Sequence, residues 1–345
     1  MTRPLAVLVL AAGLGKRTKL SLPKVMLPLC GRTLLGTVLD EVAALAPERT
    51  VVVLHHGREL VEKGLAGRDG LTVVDQGSPK GTGHAVQVAM QALDGFRGDV
   101  LVGYGDMPLL ERATYSALRD ARGDAAAALL TAIPDDPTGL GRILRDEDGT
   151  LLGIREERDC SDAEREIEEI NVGVYCYDAD ALRAALHGLS PQNAQGELYL
   201  TDTIGNLLAA GERVTTVELD DPVESLGVNS LHQLAMARAV MQDRILERHL
   251  ANGVLIEDPA TTWIDHDVVI GRDTRVLPCS VIRKGVVIGE GCEVGPFAHL
   301  RERAVLEDGA EITSPTSATR RSARARTSAP ARSPRTTTAS RSTAR

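Results

Sequence analysis

The sequence predicts an α/β domain, then a helical arm, then a short left-handed parallel β-helix. Three observations predict this. Residues 5–10 (LAVLVL) form an unbroken Val/Leu run ending in a small-residue turn, the pattern of a strand buried on both faces of a parallel sheet. Short aliphatic runs then alternate with segments of helical period as far as residue 204. From Ile264 to Ile312 every sixth residue is Ile, Val or Leu, and a small or β-branched residue stands two positions before each.

The first strand leads into Leu10-Ala11-Ala12-Gly13-Leu14-Gly15, where small side chains let a ligand approach the backbone. Lys16, Arg17, Lys19 and Lys24 follow closely. Free N–H groups beside a block of cations suit a polyphosphate. Two common phosphate motifs do not fit. GxGxxG fails at Thr18; the P-loop pattern fails because Arg17 follows Lys16 and Leu10 stands where its first Gly belongs.

Next, Leu34, Leu35, Val38, Leu39 and Val42 give residues 33–45 a helical period, and strands are predicted over 51–54 and 71–74. The third strand runs into Gln76 and then Gly81-Thr82. These residues suit reading a base edge through an amide and backbone groups, or simply capping the helix predicted over 85–93. His84 reads as a helix-start residue, since no Cys or His stands at metal spacing from it. A strand over 100–102 ends in Gly103-Tyr104-Gly105-Asp106-Met107-Pro108. Asp106 is placed either to hold Mg2+, which takes oxygen ligands together with substrate phosphates, or to cap the turn before Pro108. All three motifs lie at strand ends, where ligands collect in open α/β sheets.

Residues 136–143 read as a turn into a strand, 159–169 as an acidic, mobile loop, 170–175 as a strand, and 231–251 as a helix. Taken by composition, the charged run Ile154-Arg155-Glu156-Glu157-Arg158 is an ordinary solvated face. The net charge is −9, and eight of the Arg residues that offset the acids lie in 313–345, so a nucleic-acid role for the rest is disfavoured. The five cysteines lack CxxC spacing and read as free thiols of a cytoplasmic protein. No apolar run is long enough to span a membrane, and MTRPLAVLVLAAG reads as the first strand rather than a signal peptide.

The combination LAAGLGKR and Leu22-Pro23-Lys24 resembles the sugar-phosphate nucleotidylyltransferases, whose usual GxGTRM is here Gly13-Leu14-Gly15-Lys16-Arg17-Thr18. That resemblance implies a Rossmann-like nucleotidylyltransferase domain. In it Leu10, Ala11, Ala12 and Gly13 wrap a nucleoside triphosphate, and Arg17 and Lys24 hold its phosphates. It also implies a base read by Gln76, Gly81 and Thr82, and further contacts from Tyr104, Gly105 and Asp106. The segments DPTGLGRI, IREE and EIN, with Gly227-Val228-Asn229, resemble one branch, the bifunctional N-acetylglucosamine-1-phosphate uridyltransferase/glucosamine-1-phosphate acetyltransferases. That branch implies Gly141, Glu156 and Asn171 as amino-sugar contacts, and Asp106 and Asn229 as Mg2+ ligands. The implied reaction joins UTP and N-acetylglucosamine-1-phosphate to give UDP-N-acetylglucosamine and pyrophosphate. Other readings are a transferase for another base or sugar-1-phosphate, and a non-catalytic, nucleotide-binding trimeric scaffold.

The resemblance divides the chain into a uridyltransferase domain (1–230), a linker arm (231–253), a partial acetyltransferase β-helix (254–312) and a tail (313–345). The resemblance implies a homotrimer formed through the β-helix, and Arg301 matches a sugar-phosphate-binding Arg of that branch's acetyl-transfer site. The remaining positions of that site would follow residue 312. The resemblance therefore implies use of acetyl-CoA only with a complete second domain, and little acetyltransferase activity here. Residues 313–345 contain no Val, Ile, Leu, Gly or aromatic residue. They are expected to be disordered, and the change in mid-repeat points to a shifted reading frame or truncated gene.

Overall fold

The computed structural model describes residues 3–13 and 15–312; the disordered tail expected over 313–345 lies outside the described residues. The chain divides into two compact units, Met1–Asp243 and Arg244–Arg345.

The first unit is built on a nine-stranded sheet. Its strands are β1 (Leu5–Leu10), β2 (Arg49–Leu54), β3 (Leu71–Asp75), β4 (Asp99–Tyr104), β5 (Ala127–Ala132), β6 (Arg142–Arg145), β7 (Leu151–Arg155), β8 (Ile170–Asp178) and β9 (Val214–Glu218). The main order is β9-β5-β8-β4-β1-β2-β3, with β6 and β7 attached as an antiparallel pair through β8. β1 pairs in parallel with both β2 and β4, whereas β8 is antiparallel to β4 and β5. The chain builds outward from β1 through β2 to β3 and then crosses to β4 on the other side. The strand order reverses between β1 and β4, and in open α/β sheets ligands bind at the carboxyl ends of the strands flanking such a point.

Helices cover both faces. They are α1 (Leu34–Ala43), α2 (Arg58–Leu65), α3 (Thr82–Gln91), α4 (Arg112–Arg122), α5 (Asp162–Arg165), α6 (Ala179–His187) and α7 (Asp202–Ala209). Period-2 alternation along β1 sends Ala6, Leu8 and Leu10 into one core with α3, α6 and α7. Leu5, Val7 and Val9 enter the other with α1, α2 and α4. This two-sided burial explains why β1 reads as an unbroken apolar run.

Two sequence expectations need correction. The helix predicted over 85–93 starts at Thr82, because Gly83 N–H is anchored to the Leu198 carbonyl at 2.8 Å. The stretch expected to be mobile over 159–169 is folded. Ser161 and Glu164 form a reciprocal capping box at α5, and Glu169 accepts two bonds from Arg145, at 2.8 and 2.7 Å.

α8 (Leu231–Ala251) contains the division between the units. In the second unit, successive coils of a β-helix stack so that their strands form three short parallel sheets. Register pairs such as Val276 with Val294 and Ile282 with Leu300 join like positions of successive coils. Every hexad aliphatic from Ile264 to Leu306 is buried, as are the small corner residues from Thr262 to Ala310. The corner hydroxyl of Thr274 donates to the Gly289 carbonyl at 2.8 Å, so no polar atom is stranded there. Val269, Val287 and Val305 stay exposed in a ladder on one sheet.

None of the five cysteines is in a disulfide, and no helix among the described residues is long and apolar enough to cross a membrane.

Candidate active site

The expected residues fall into three groups within the first unit, the first at the carboxyl ends of β1 and β4. Leu10 and Ala11 are buried, Ala12 is half-buried and Gly13 is exposed, so the chain surfaces as it leaves β1. Gly105 N–H donates to the Leu10 carbonyl at 2.9 Å, which keeps the two strand ends side by side. A Cβ on Gly105 would lie 2.9 Å from Leu35 Cδ1, so a larger residue there would have to push that side chain aside.

After Gly13 the loop forms a 3-10 turn over Lys16–Thr18. Thr18 is buried and its hydroxyl donates to the Gly15 carbonyl at 2.8 Å, fastening the turn. Gly15 has a positive φ of 58°, and a Cβ there would lie 3.0 Å from Lys24 Cβ. The turn is thus folded directly onto Lys24, whereas Arg17 is exposed on its outer side.

The Lys24 ammonium forms an ion pair with Asp106 and donates to Asn229 Oδ1 at 2.9 Å. Asn229 is held in turn: Val228 N–H donates to the Asp106 carbonyl at 2.8 Å, and Asn229 N–H donates to Gln233 Oε1 at 2.9 Å. Two side-chain oxygens, one carboxylate and one amide, therefore converge on a single cationic centre. That donor chemistry suits a hard divalent cation, which takes few protein oxygens and completes its shell with substrate phosphates and water.

A second group gathers after β3. Gln76 is buried and its amide donates to the Gly81 carbonyl at 2.9 Å. The Thr82 hydroxyl accepts from Leu200 N–H at 3.0 Å, and Leu198 N–H donates to the Lys80 carbonyl at 2.8 Å. The loop is therefore locked from outside by residues 198–200.

The third group lies on β6, β7 and β8. Asn171 N–H donates to the Gly141 carbonyl at 2.8 Å, and a Cβ on Gly141 would stand 3.7 Å from Glu156 Oε2. The Asn171 amide is fixed at both ends, accepting from Gly173 N–H at 3.1 Å and donating to the Tyr175 hydroxyl at 2.7 Å. A register shift in β8 between Asn171 and Tyr175 produces this arrangement. Glu156 accepts from the Thr201 hydroxyl at 3.0 Å. Burial raises the Glu156 carboxyl above its ordinary pKa; the Thr201 bond opposes the rise, and the charges of Asp202 and Asp159 add to it.

Tyr104 joins the three groups. Its ring lies 2.8 Å from where a Cβ on Gly173 would stand. Burial first, then the charges of Glu156 and Asp106, raise its pKa, so it stays a neutral phenol. Arg301 lies in the second unit, exposed in a β-helix turn.

Sequence reasoning missed Thr201, Gly173, Tyr175 and Gln233, which orient the expected residues. The close sequence spacing of Asn171, Gly173 and Tyr175 was the one available signal. Among the described residues no group of three or more His, Cys, Asp or Glu side chains forms a metal site.

An open sheet whose switch point carries a small-residue loop, a lysine and two converging oxygen donors has the layout of a phosphate-handling α/β domain. A family model described as "MobA-like NTP transferase domain" matches residues 7–195, more than half of the chain, and the chain belongs to that family. A second model, "Bacterial transferase hexapeptide (six repeats)", matches residues 267–302. Among curated proteins, the chain is 44% identical over 276 residues to the "Bifunctional protein GlmU" of Pelotomaculum thermopropionicum, covering 79% of this chain and 60% of that one. It is 46% identical over 277 residues to the protein of the same name from Brevibacillus brevis, covering 80% and 60%. It is 47% identical over 286 residues to that of Mycolicibacterium vanbaalenii, covering 80% and 58%. The chain thus spans less than two thirds of the length of these curated relatives.

Proposed function

We propose that this chain transfers a uridylyl group from UTP to N-acetylglucosamine-1-phosphate, giving UDP-N-acetylglucosamine and pyrophosphate with Mg2+ as cofactor. The observation that carries the reading is the meeting of Asp106 and Asn229 on Lys24, from sequence positions 82 and 205 residues away from it. Family membership supports nucleotidyl transfer, and the cluster of Gly141, Glu156 and Asn171 beside Tyr104 supports a sugar on that side.

In this reading a phosphate oxygen of the sugar phosphate attacks the α-phosphorus of UTP. A new P–O bond forms, the bond from the α-phosphorus to the bridging oxygen breaks, and pyrophosphate leaves. Both reactants are anions, so positioning and charge neutralisation supply most of the acceleration. Lys24 and Arg17 hold phosphates, Gln76, Gly81 and Thr82 present their amide, backbone and hydroxyl groups to the uracil, and Glu156 accepts a sugar hydroxyl. Asp106 and Asn229 would hold Mg2+, which supplies charge stabilisation at the phosphates.

The exposed ladder of Val269, Val287 and Val305 supports self-association through the β-helix, and a homotrimer is the proposed assembly. Cysteines without disulfides fit a cytoplasmic, reducing setting.

The test is pyrophosphate release across a panel of nucleoside triphosphates and sugar-1-phosphates, with and without Mg2+. The expected result is release with UTP and N-acetylglucosamine-1-phosphate, dependent on the metal. Preference for another pair would reassign the substrates, and UTP binding without release would favour a non-catalytic scaffold.

A further inference from the structure

Arg142 opens β6 and is buried, yet the chemistry proposed above gives it no part. Its guanidinium joins three segments. Nη1 donates to the Pro137 carbonyl at 2.9 Å and to the Leu140 carbonyl. The same nitrogen lies 2.7 Å from Glu157 Oε2, and Nη2 donates to the Arg165 carbonyl at 3.3 Å. Burying a guanidinium is costly unless it is paired and bonded, and an apolar side chain fills a core at less cost. What the guanidinium provides instead is a planar fork that fixes several acceptors at set angles.

Gly141 and Glu156 are each one residue from a point that the guanidinium holds by hydrogen bond or ion pair. Gly141 precedes Arg142, and Glu156 precedes Glu157. Asn171 follows Ile170, the β8 residue that pairs with Arg142, and its own N–H is bonded to Gly141. The nucleotide-side loop is fastened by other bonds, Gln76 to Gly81 and Leu198 to Lys80.

We propose that Arg142 is a positioning residue for the sugar-phosphate acceptor: without touching it, its guanidinium locks the loop before Gly141 and the turn after Glu156 against the strands that carry Gly141 and Asn171. This rests on the reading that Gly141, Glu156 and Asn171 face the sugar. Loosening this lock misplaces the acceptor and leaves UTP binding intact.

The experiment compares Arg142→Met, Arg142→Lys and Glu157→Gln in the full chain, by steady-state kinetics and by hydrogen exchange without substrate. In Arg142→Met the KM for N-acetylglucosamine-1-phosphate is expected to rise about 10–100-fold, the scale on which small misplacements act. The KM for UTP should be unchanged. Arg142→Lys should fall between Arg142→Met and wild type, and Glu157→Gln should shift the same KM, keeping the test open if Arg142→Met does not fold. Exchange should quicken at amides of 140–143 and 157–166 but not at 80–83. Equal rises in both KM values, or unchanged exchange in those segments, overturns the proposal. A wild-type chain that releases no pyrophosphate removes the catalytic reading instead; the exchange pattern then decides alone whether Arg142 holds these segments.

Discussion

The Lys24 ammonium donates to Asn229 Oδ1 at 2.9 Å, and the same nitrogen is ion-paired with Asp106. Lys24 follows the small-residue loop, Asp106 follows β4, and Asn229 lies just before α8. One cationic side chain therefore ties the end of the sheet to the segment that leads into α8. It does so at the point where strand order reverses.

Replacing Asp106 by Ala removes the carboxylate from this meeting point. Turnover is expected to fall by roughly 10²–10³-fold, the scale for losing one preorganised charge-stabilising group. Far-UV circular dichroism should be unchanged, because Asp106 lies at a strand end and outside both cores. Near-normal pyrophosphate release from this variant would take Asp106 out of the mechanism.

Gly81→Ala tests the nucleotide-side loop. Gly81 has φ +103°, and a Cβ there would lie 2.4 Å from the Leu198 carbonyl oxygen, a backbone atom with little room to move. Strain of this kind costs about 1–3 kcal/mol. A lower urea midpoint and a higher KM for UTP are expected. A variant as stable as the parent would mean that the contact with residue 198 relaxes freely.

Glu156 sets an acid limb. Its carboxyl, raised chiefly by burial, protonates at a higher pH than the ordinary 4.5. The ionised acceptor is present above that raised value and is lost as pH falls through it. The KM for the sugar phosphate should therefore climb on the acid side, starting above pH 4.5. In Glu156→Gln the KM should be high and independent of pH over this range. A limb that persists in the variant would assign the titration to another group.

His249, in α8, is buried, and its Nε2 has no hydrogen-bond partner. Burial, helped by the charge of Arg248, lowers its pKa from 6.5 to about 4. The unfolded chain takes up the proton below 6.5 and the folded chain only below about 4, so stability falls as pH drops through that interval. Thermal unfolding between pH 7 and 4 should show this slope, reduced in His249→Gln. An equal slope in both proteins would exclude His249 as its source.

Much of the fold was legible because it rests on repeating local geometry. The alternation in β1 and the hexad from Ile264 onward each follow from backbone periods that the side chains must match. Loop chemistry at strand ends singled out Gln76, Asp106 and the 10–13 segment. Charged residues were the hard part. Arg usually lies at the surface, so composition gave no reason to bury Arg142. Nor did it show that the 159–169 stretch would fold: its capping box is local, but its anchor at Glu169 is Arg145 on a neighbouring strand.

By itself the sequence determined the order of elements, the strand-end motifs and the prism of the β-helix, since each depends on residues near one another along the chain. Only the tertiary structure decided which polar groups meet. The partnership of Lys24 with Asp106 and Asn229, the packing of Tyr104 on Gly173 and the grip of Arg142 on three segments all depend on how sheet order folds distant residues together. A one-dimensional pattern carries periods, whereas burying a charge beside its partner depends on distances that arise once the strands are in register.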